Sequence, residues 1–408
     1  PVMPTATKSL LCWKKWQDSL LIYEFLARTH ALYSNFVSTR LLMKNIADLA
    51  VSGVQKLSPY QQGKPVSELE RELGIINIIK LASNENPLGV PESAVAAMQK
   101  SLTDIALYPD GSAFDLKTTL AQKLSVNANQ ITIGNGSNEL LDLIARVFLS
   151  SSNNAVISEY AFVVYAIAVQ SLGAELRVAT AKDFGHDLDA MAKLVDGNTR
   201  IVFIANPNNP TGTCLGIAAI ERFLQTVPSN VIVVLDEAYH EYVGREDYAS
   251  GLTLLDRYPN LIVTRTFSKA YGLAGLRVGY CISSREIADL LNRLREPFNV
   301  NSLALAAAEA VLQDKDYLQR SVDINTKGMQ QLEVGLRELG LHFIPSSGNF
   351  IAVNFARDAA PLYQAFLQEG IIVRPIAVYG MPTWLRISIG LPEQNARFLQ
   401  SCRKVLSR

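Results

Sequence analysis

From Ser58 onward the chain alternates short β-branched runs with stretches of helical periodicity. Gln130–Ile133, Ala155–Ile157, Arg200–Ile204, Val231–Leu235, Leu261–Thr264 and Val278–Ile282 are brief, rich in Val and Ile and bounded by polar or turn residues, so they predict strands. Between them, apolar positions spaced three and four apart predict helices over Asn138–Leu149, Phe162–Leu172, Gly216–Val227 and Ile287–Leu294. Strands that are apolar on both faces and separated by helices imply an α/β fold with a mostly parallel sheet covered on both sides. In such sheets ligands sit beyond the carboxyl ends of the strands, which makes the loops after them the candidate chemistry.

The pattern changes after Asn301. A long helical region runs to Leu339, followed by short runs at Phe343–Ile344, Asn349–Asn354, Ile371–Val373 and Trp384–Ile389, the outline of a smaller α+β domain. Residues 1–42 differ again: Trp13, Trp16, Tyr23, Phe25 and Tyr33 lie among mixed charges, an amphipathic helical stretch at best. Lys14, Lys15, Asp18 and Glu24 interrupt every candidate signal-peptide core, and Met43 is a candidate original start. The expected division is an extension of unknown role over 1–42, an arm and part of the small domain over 43–90, a large domain over 91–300 and a small domain over 301–408.

Composition narrows the function. The 408 residues are 49% hydrophobic and 19% charged, with 38 basic against 38 acidic side chains, a neutral globule without the basic surplus of a nucleic-acid binder. Cys12, Cys214, Cys281 and Cys402 are far apart, as are His30, His186, His240 and His342, so neither a disulfide framework nor a metal-ligand spacing is present and no catalytic metal is expected. No run approaches the length of a membrane helix. A cytoplasmic small-molecule enzyme fits.

The apolar run Val231–Leu235 ends in Asp236-Glu237-Ala238-Tyr239, placing a carboxylate where a buried sheet opens toward ligand; an isolated Asp here is more often a cap or turn residue. The run Leu261–Thr264 leads to Thr266-Phe267-Ser268-Lys269. A lysine beside an acidic strand end, in an enzyme without metal or thiol nucleophile, is a natural Schiff-base former, because burial lowers its pKa. Pyridoxal phosphate needs this set: an amine for its aldehyde carbon, a carboxylate for its pyridine nitrogen and donors for its phosphate. Gly134-Asn135-Gly136-Ser137-Asn138, between a strand and a helix, supplies an anion site, and Arg277 among apolar neighbours offers a guanidinium. The third glycine of a dinucleotide fingerprint and the GK[ST] of a Walker loop are both absent. Asn206-Pro207-Asn208-Asn209-Pro210-Thr211-Gly212 reads as a Pro-Asn turn or as a rigid mount that brings the Asn209 amide to the cofactor's ring oxygen.

Taken in order, SNENPLG from Ser83, YPDG from Tyr108, GNGSNE from Gly134, NPNNPTGT from Asn206, DEAYHEY from Asp236, TFSKAYGLAGLRVGY from Thr266 and LRISIG from Leu385 resemble the histidinol-phosphate aminotransferases, over about residues 56 to 408. The resemblance implies a fold type I pyridoxal-phosphate transferase. It implies that Lys269 carries the cofactor and shuttles the substrate proton, that Asp236 pairs with the pyridine nitrogen, and that Asn209 and Tyr239 bind the ring oxygen. Phe162 would stack on the ring, while Gly136, Ser137, Asn138, Thr266, Ser268 and Arg277 would hold the phosphate, joined by Tyr108 from the partner subunit of a homodimer. Arg386 would clamp the substrate carboxylate and Arg374 would turn toward a substrate phosphate, with Tyr60, Asn86 and Asn349 as further substrate-side groups. The implied reaction moves an amino group between L-histidinol phosphate and 2-oxoglutarate, giving imidazole acetol phosphate and L-glutamate, in histidine biosynthesis. An aromatic amino-acid aminotransferase and a phosphothreonine decarboxylase share the cofactor residues and stay open as alternatives.

Overall fold

The computed structural model describes residues 45–59 and 63–407; the expected extension over 1–42 and the candidate Tyr60 lie outside them. Residues 45–56 belong to a separate unit, in which a 3-10 turn, Ile46–Leu49, precedes a helical turn, Ser52–Gln55.

From Leu57 onward, β1 (Ile79–Lys80) is followed by the strands of a seven-stranded sheet: β2 (Ile131–Gly134), β3 (Asn154–Ser158), β4 (Glu175–Ala179), β5 (Thr199–Ala205), β6 (Ile232–Asp236), β7 (Leu261–Thr266) and β8 (Gly279–Ile282). Their spatial order is β2-β8-β7-β6-β5-β3-β4, and β8 alone runs antiparallel to its neighbours β2 and β7. Alternate residues feed two apolar layers. Val202, Ile204, Val233, Leu235, Leu261 and Val263 face one, while Ile201, Phe203, Val234 and Ile262 face the other. Each large apolar side chain fully withdrawn from water in this way contributes about 1.5–3 kcal/mol. The expected helices are present with ends shifted by one or two residues, for example Gly136–Phe148 and Arg285–Leu294.

The region expected as one helical stretch is two helices, Ser302–Gln313 and Lys315–Glu338, broken at Asp314, whose carboxylate caps the second by accepting from the Tyr317 amide at 3.0 Å. Ala304, Ala307, Ala308 and Val311 of the first pack into the large-sheet core, so the chain leaves that core at Asp314. Beyond it lie β9 (His342–Ile344), β10 (Phe350–Asn354), β11 (Ile371–Ile372), β12 (Arg374–Pro375) and β13 (Trp384–Ser388). The antiparallel sheet β12-β13-β10-β9 is covered by Leu332, Leu336, Phe366, Phe398 and Leu399, and β11 pairs in parallel with β1. Leu81, just after β1, joins the same core, and the Ser388 amide donates to its carbonyl at 2.8 Å. The segment after β1 is thereby fastened beside β13, facing the carboxyl ends of β5, β6 and β7.

Candidate active site

A cleft opens at those strand ends, and its walls come from the ends of five strands and the loops that follow them: Ser137 and Asn138 after β2, Phe162 after β3, Asn209 after β5, Asp236 and Tyr239 at the end of β6, and Thr266, Ser268 and Lys269 at the end of β7 and just beyond it. Asp236 is buried. The Tyr165 hydroxyl donates to its Oδ2 at 2.7 Å and the Thr264 hydroxyl to its Oδ1 at 3.0 Å. Burial pushes this carboxyl's pKa up, and the two hydroxyls pull it back down. Lys269 is half-buried, its Nζ 3.2 Å from the Ser83 carbonyl and 5.7 Å from the centre of the Tyr239 ring. Desolvation, reinforced by the Arg386 and Arg277 charges, lowers its pKa to about 7. A lysine in that state is an amine nucleophile near neutrality.

Beside Lys269 the backbone is shaped for an anion. Gly136 opens its helix at φ +78°, and a Cβ there would lie 3.0 Å from the guanidinium carbon of Arg277. Gly279 lets β8 pass so close that a Cβ would meet the Ser137 amide at 2.7 Å. Arg277, itself at φ +56°, donates to the Ser268 hydroxyl at 3.1 Å, and the Thr266 hydroxyl accepts from the Ser268 amide at 3.1 Å. Helix N-terminal amides, two hydroxyls and a guanidinium thus converge on one point, the donor set of a phosphate dianion.

The opposite wall is cationic. Arg386 is buried, donates to the Ala82 carbonyl at 2.8 Å and to Asn209 Oδ1, and lies over the Phe350 ring at 5.3 Å. Arg374 is its direct partner across the β12–β13 pair, and both line the cleft with Tyr379. Tyr239, whose pKa burial pushes up to about 12, accepts a hydrogen bond from the Asn84 amide at 3.0 Å.

Most expected site residues converge on the cleft; four described ones do not line it. Gly136 forms the backbone of the cradle behind Ser137. Tyr108 is 81% exposed, stacked on Phe298 at 4.7 Å and outside this chain's cleft. Asn86, expected on the substrate side, does not line the cleft; its amide donates to the Ala270 carbonyl at 3.0 Å and the Ser321 hydroxyl at 2.8 Å, bracing the Lys269 loop. Asn349 does not line the cleft either; it is buried and donates to the Asn84 carbonyl at 3.0 Å. The sequence reading missed Ser83, Asn84, Tyr165 and Tyr379 as lining residues. Tyr165 was within reach of pattern reasoning, since it sits three residues after Phe162 on the same helical face.

The set fits pyridoxal phosphate on its own chemistry. It combines a low-pKa amine, a buried carboxylate suited to a cationic ring nitrogen, an aromatic wall at Phe162 and a dianion cradle. The family model for class I and II aminotransferases matches residues 76–401. The chain belongs to this aminotransferase family. It is 60% identical over 367 residues to histidinol-phosphate aminotransferase 2 of Pseudomonas aeruginosa, a match covering 90% of this chain and all of that protein, and 53% identical to histidinol-phosphate aminotransferase 1 of Mannheimia succiniciproducens over 88% of this chain and 98% of that one. Among solved structures, the histidinol-phosphate aminotransferase of Sinorhizobium meliloti in complex with pyridoxal-5'-phosphate superposes with a TM-score of 0.81 at 30% identity, covering 88% of this chain and 97% of that one. The L-threonine-O-3-phosphate decarboxylase of Porphyromonas gingivalis, at 24% identity and a TM-score of 0.73, shares the fold.

Proposed function

We propose that this aminotransferase transfers an amino group between L-histidinol phosphate and 2-oxoglutarate, using pyridoxal 5'-phosphate held by Lys269. The observation that carries the reading is the pairing of the Asp236–Lys269 strand ends with two opposed arginines, Arg374 and Arg386, across one cleft. The relatives named histidinol-phosphate aminotransferase, from 53% to 60% identical over nearly their whole lengths, support the same substrate.

In this reading Ser137, Asn138, Thr266, Ser268 and Arg277 bind the cofactor phosphate, Phe162 covers the ring, Asn209 and Tyr239 meet the ring oxygen, and Asp236 stays ionised against the ring nitrogen. When bound, the cofactor supplies an electron sink for the charge that develops at the substrate's Cα. Lys269 holds the cofactor at rest and, once the substrate amine has displaced it, moves the proton at Cα. Arg386, fixed by Ala82 and Asn209, orients the anionic end of each substrate, a planar two-pronged task that Lys performs poorly. Arg374 adds the second guanidinium that a phosphate dianion rewards and a single carboxylate does not.

The same proposal includes a homodimer with composite sites. Its support is the run of exposed large apolar side chains close together in the chain, Leu102, Ile105, Leu107 and Phe114, around the tyrosine, Tyr108, expected to cross between subunits. It also includes the division into large and small domains given above and a cytoplasmic setting, for which the free thiols of Cys214, Cys281 and Cys402 speak.

Borohydride reduction of the yellow protein followed by peptide mapping tests the cofactor assignment. An adduct on Lys269 is expected, and an adduct on another lysine contradicts it.

A further inference from the structure

Asn84 is buried in the left-handed region at φ +53°, a conformation that asparagine tolerates better than most residues. Its hydrogen bonds form a closed set. The Asn84 backbone amide donates to the Ser388 hydroxyl at 2.8 Å, and that hydroxyl donates back to Asn84 Oδ1 at 3.0 Å. Ser388 therefore fixes which end of the side-chain amide is oxygen, and the NH2 group must face Tyr239, 3.0 Å from its phenolic oxygen. The Asn84 carbonyl accepts from Asn349 at 3.0 Å, while the Tyr239 ring is held edge-on against Phe350 at 5.2 Å. Ser388 of β13 and Asn349, just before β10, thus both bear on Tyr239 through Asn84, while Phe350 touches its ring directly.

We propose that Asn84 is a positioning residue that sets the direction of the Tyr239 hydroxyl: because Asn84 donates to the phenolic oxygen, the phenol's own hydrogen is turned into the cleft, toward the ring oxygen of the cofactor. This rests on the reading that Tyr239 meets that oxygen. Donation from Asn84 also makes the phenol a better donor, since hydrogen bonds into an oxygen polarise its O–H. Asn84→Asp reverses the arrangement with little change of shape. A carboxylate accepts from Ser388 and from Tyr239 alike, so the phenol's hydrogen is drawn away from the cleft.

The test is the pH midpoint of the visible absorption change of bound pyridoxal 5'-phosphate, with its dissociation constant, in Asn84→Asp, Tyr239→Phe, the double variant and Ser388→Ala. A donor to the ring oxygen lowers that midpoint by stabilising negative charge there, so Tyr239→Phe should raise it by about one pH unit. Asn84→Asp should raise it by a similar amount with Tyr239 present and by several-fold less in the Tyr239→Phe background, where no hydroxyl remains to turn. Ser388→Ala, which frees the Asn84 amide to flip, should raise it part-way, and it decides the matter if Asn84→Asp does not fold. An Asn84→Asp shift of equal size in both backgrounds shows that the added charge acts alone and overturns the proposal. So does a wild-type midpoint in Asn84→Asp or, where that variant does not fold, in Ser388→Ala. If Tyr239→Phe itself leaves the midpoint unmoved, the underlying assignment of Tyr239 to the ring oxygen fails, and the proposal falls with it.

Discussion

Lys269 should capture pyridoxal phosphate with the pH dependence of a neutral amine at pH 7. An ordinary lysine, at 10.5, is neutral in only about one molecule in three thousand at that pH, whereas a group at about 7 is neutral in roughly half. The gain in nucleophile is on the order of a thousandfold, and its causes are identifiable: first the burial of the amine, then the charges of Arg386 and Arg277, opposed by Glu85 and Asp236. The sign follows from the reactive form. The deprotonated amine attacks, so the rate of cofactor capture by the cofactor-free protein should rise with pH and level off above a midpoint near 7. Arg386→Met removes one positive charge, lets Lys269 hold its proton more firmly and moves the midpoint upward. The assay is stopped-flow absorbance at a series of pH values with cofactor in excess, with Arg386→Met alongside. A rate still climbing at pH 9 in the wild-type protein would show that Lys269 keeps its proton well above neutrality, and a midpoint that falls in Arg386→Met would show that the Arg386 charge does not lower it.

Arg374→Ala should lower kcat/KM for histidinol phosphate by roughly 10- to 100-fold, the equivalent of one charge-assisted hydrogen bond of about 1.5–3 kcal/mol, and leave phenylalanine far less affected; equal losses on the two substrates in steady-state assays would mean that this arginine does not select phosphate. Asp236→Asn should fold but lose several powers of ten in half-reaction rate, each worth about 1.4 kcal/mol, because an amide cannot hold positive charge on the ring nitrogen. The same substitution should stabilise the cofactor-free protein to heat at pH 7, since the raised carboxyl pKa means that ionised Asp236 costs stability as pH rises above its unfolded value; a melting temperature that drops instead contradicts this. Mixing inactive Lys269→Ala with inactive Tyr108→Ala subunits should restore activity to the dimers that carry one intact composite site, and no recovery after mixing would argue for sites built within one chain.

The parts of the fold legible in the sequence are those that are buried twice over. Val231–Leu235 and Leu261–Thr264 are apolar without alternation because both faces of the sheet are covered, and they emerge as β6 and β7 at nearly the expected positions. Strand β4 left no such signal, since Glu175, Leu176, Arg177 and Val178 lie at an edge with much of their surface in water. The break at Asp314 was hidden because apolar periodicity continues across it, and only the capping contact marks the boundary. At the site, Lys269, Asp236 and Arg277 stood out only in combination, an amine, a carboxylate and a guanidinium in loops around one sheet edge, since an Asp alone at a strand end is more often a cap or turn residue. Asn86 and Asn349 could not be separated from true lining groups, because an asparagine that braces a loop and one that touches a ligand look alike until the carbonyl it serves is seen. Asn84 was missed for the converse reason: its place depends on Ser388, 304 residues away in the chain.

A single half-reaction distinguishes histidinol-phosphate transamination from its alternatives. The holoenzyme is mixed with L-histidinol phosphate in the absence of any oxo acid, and the cofactor's absorbance is followed while the product is identified by mass spectrometry, with phenylalanine and phosphothreonine run in parallel. Transfer of one amino group per Lys269 site from histidinol phosphate is expected, at least about a hundredfold more efficient than from phenylalanine, with no carbon dioxide from phosphothreonine. Equal or faster conversion of phenylalanine, or decarboxylation of phosphothreonine, would contradict the histidinol-phosphate assignment.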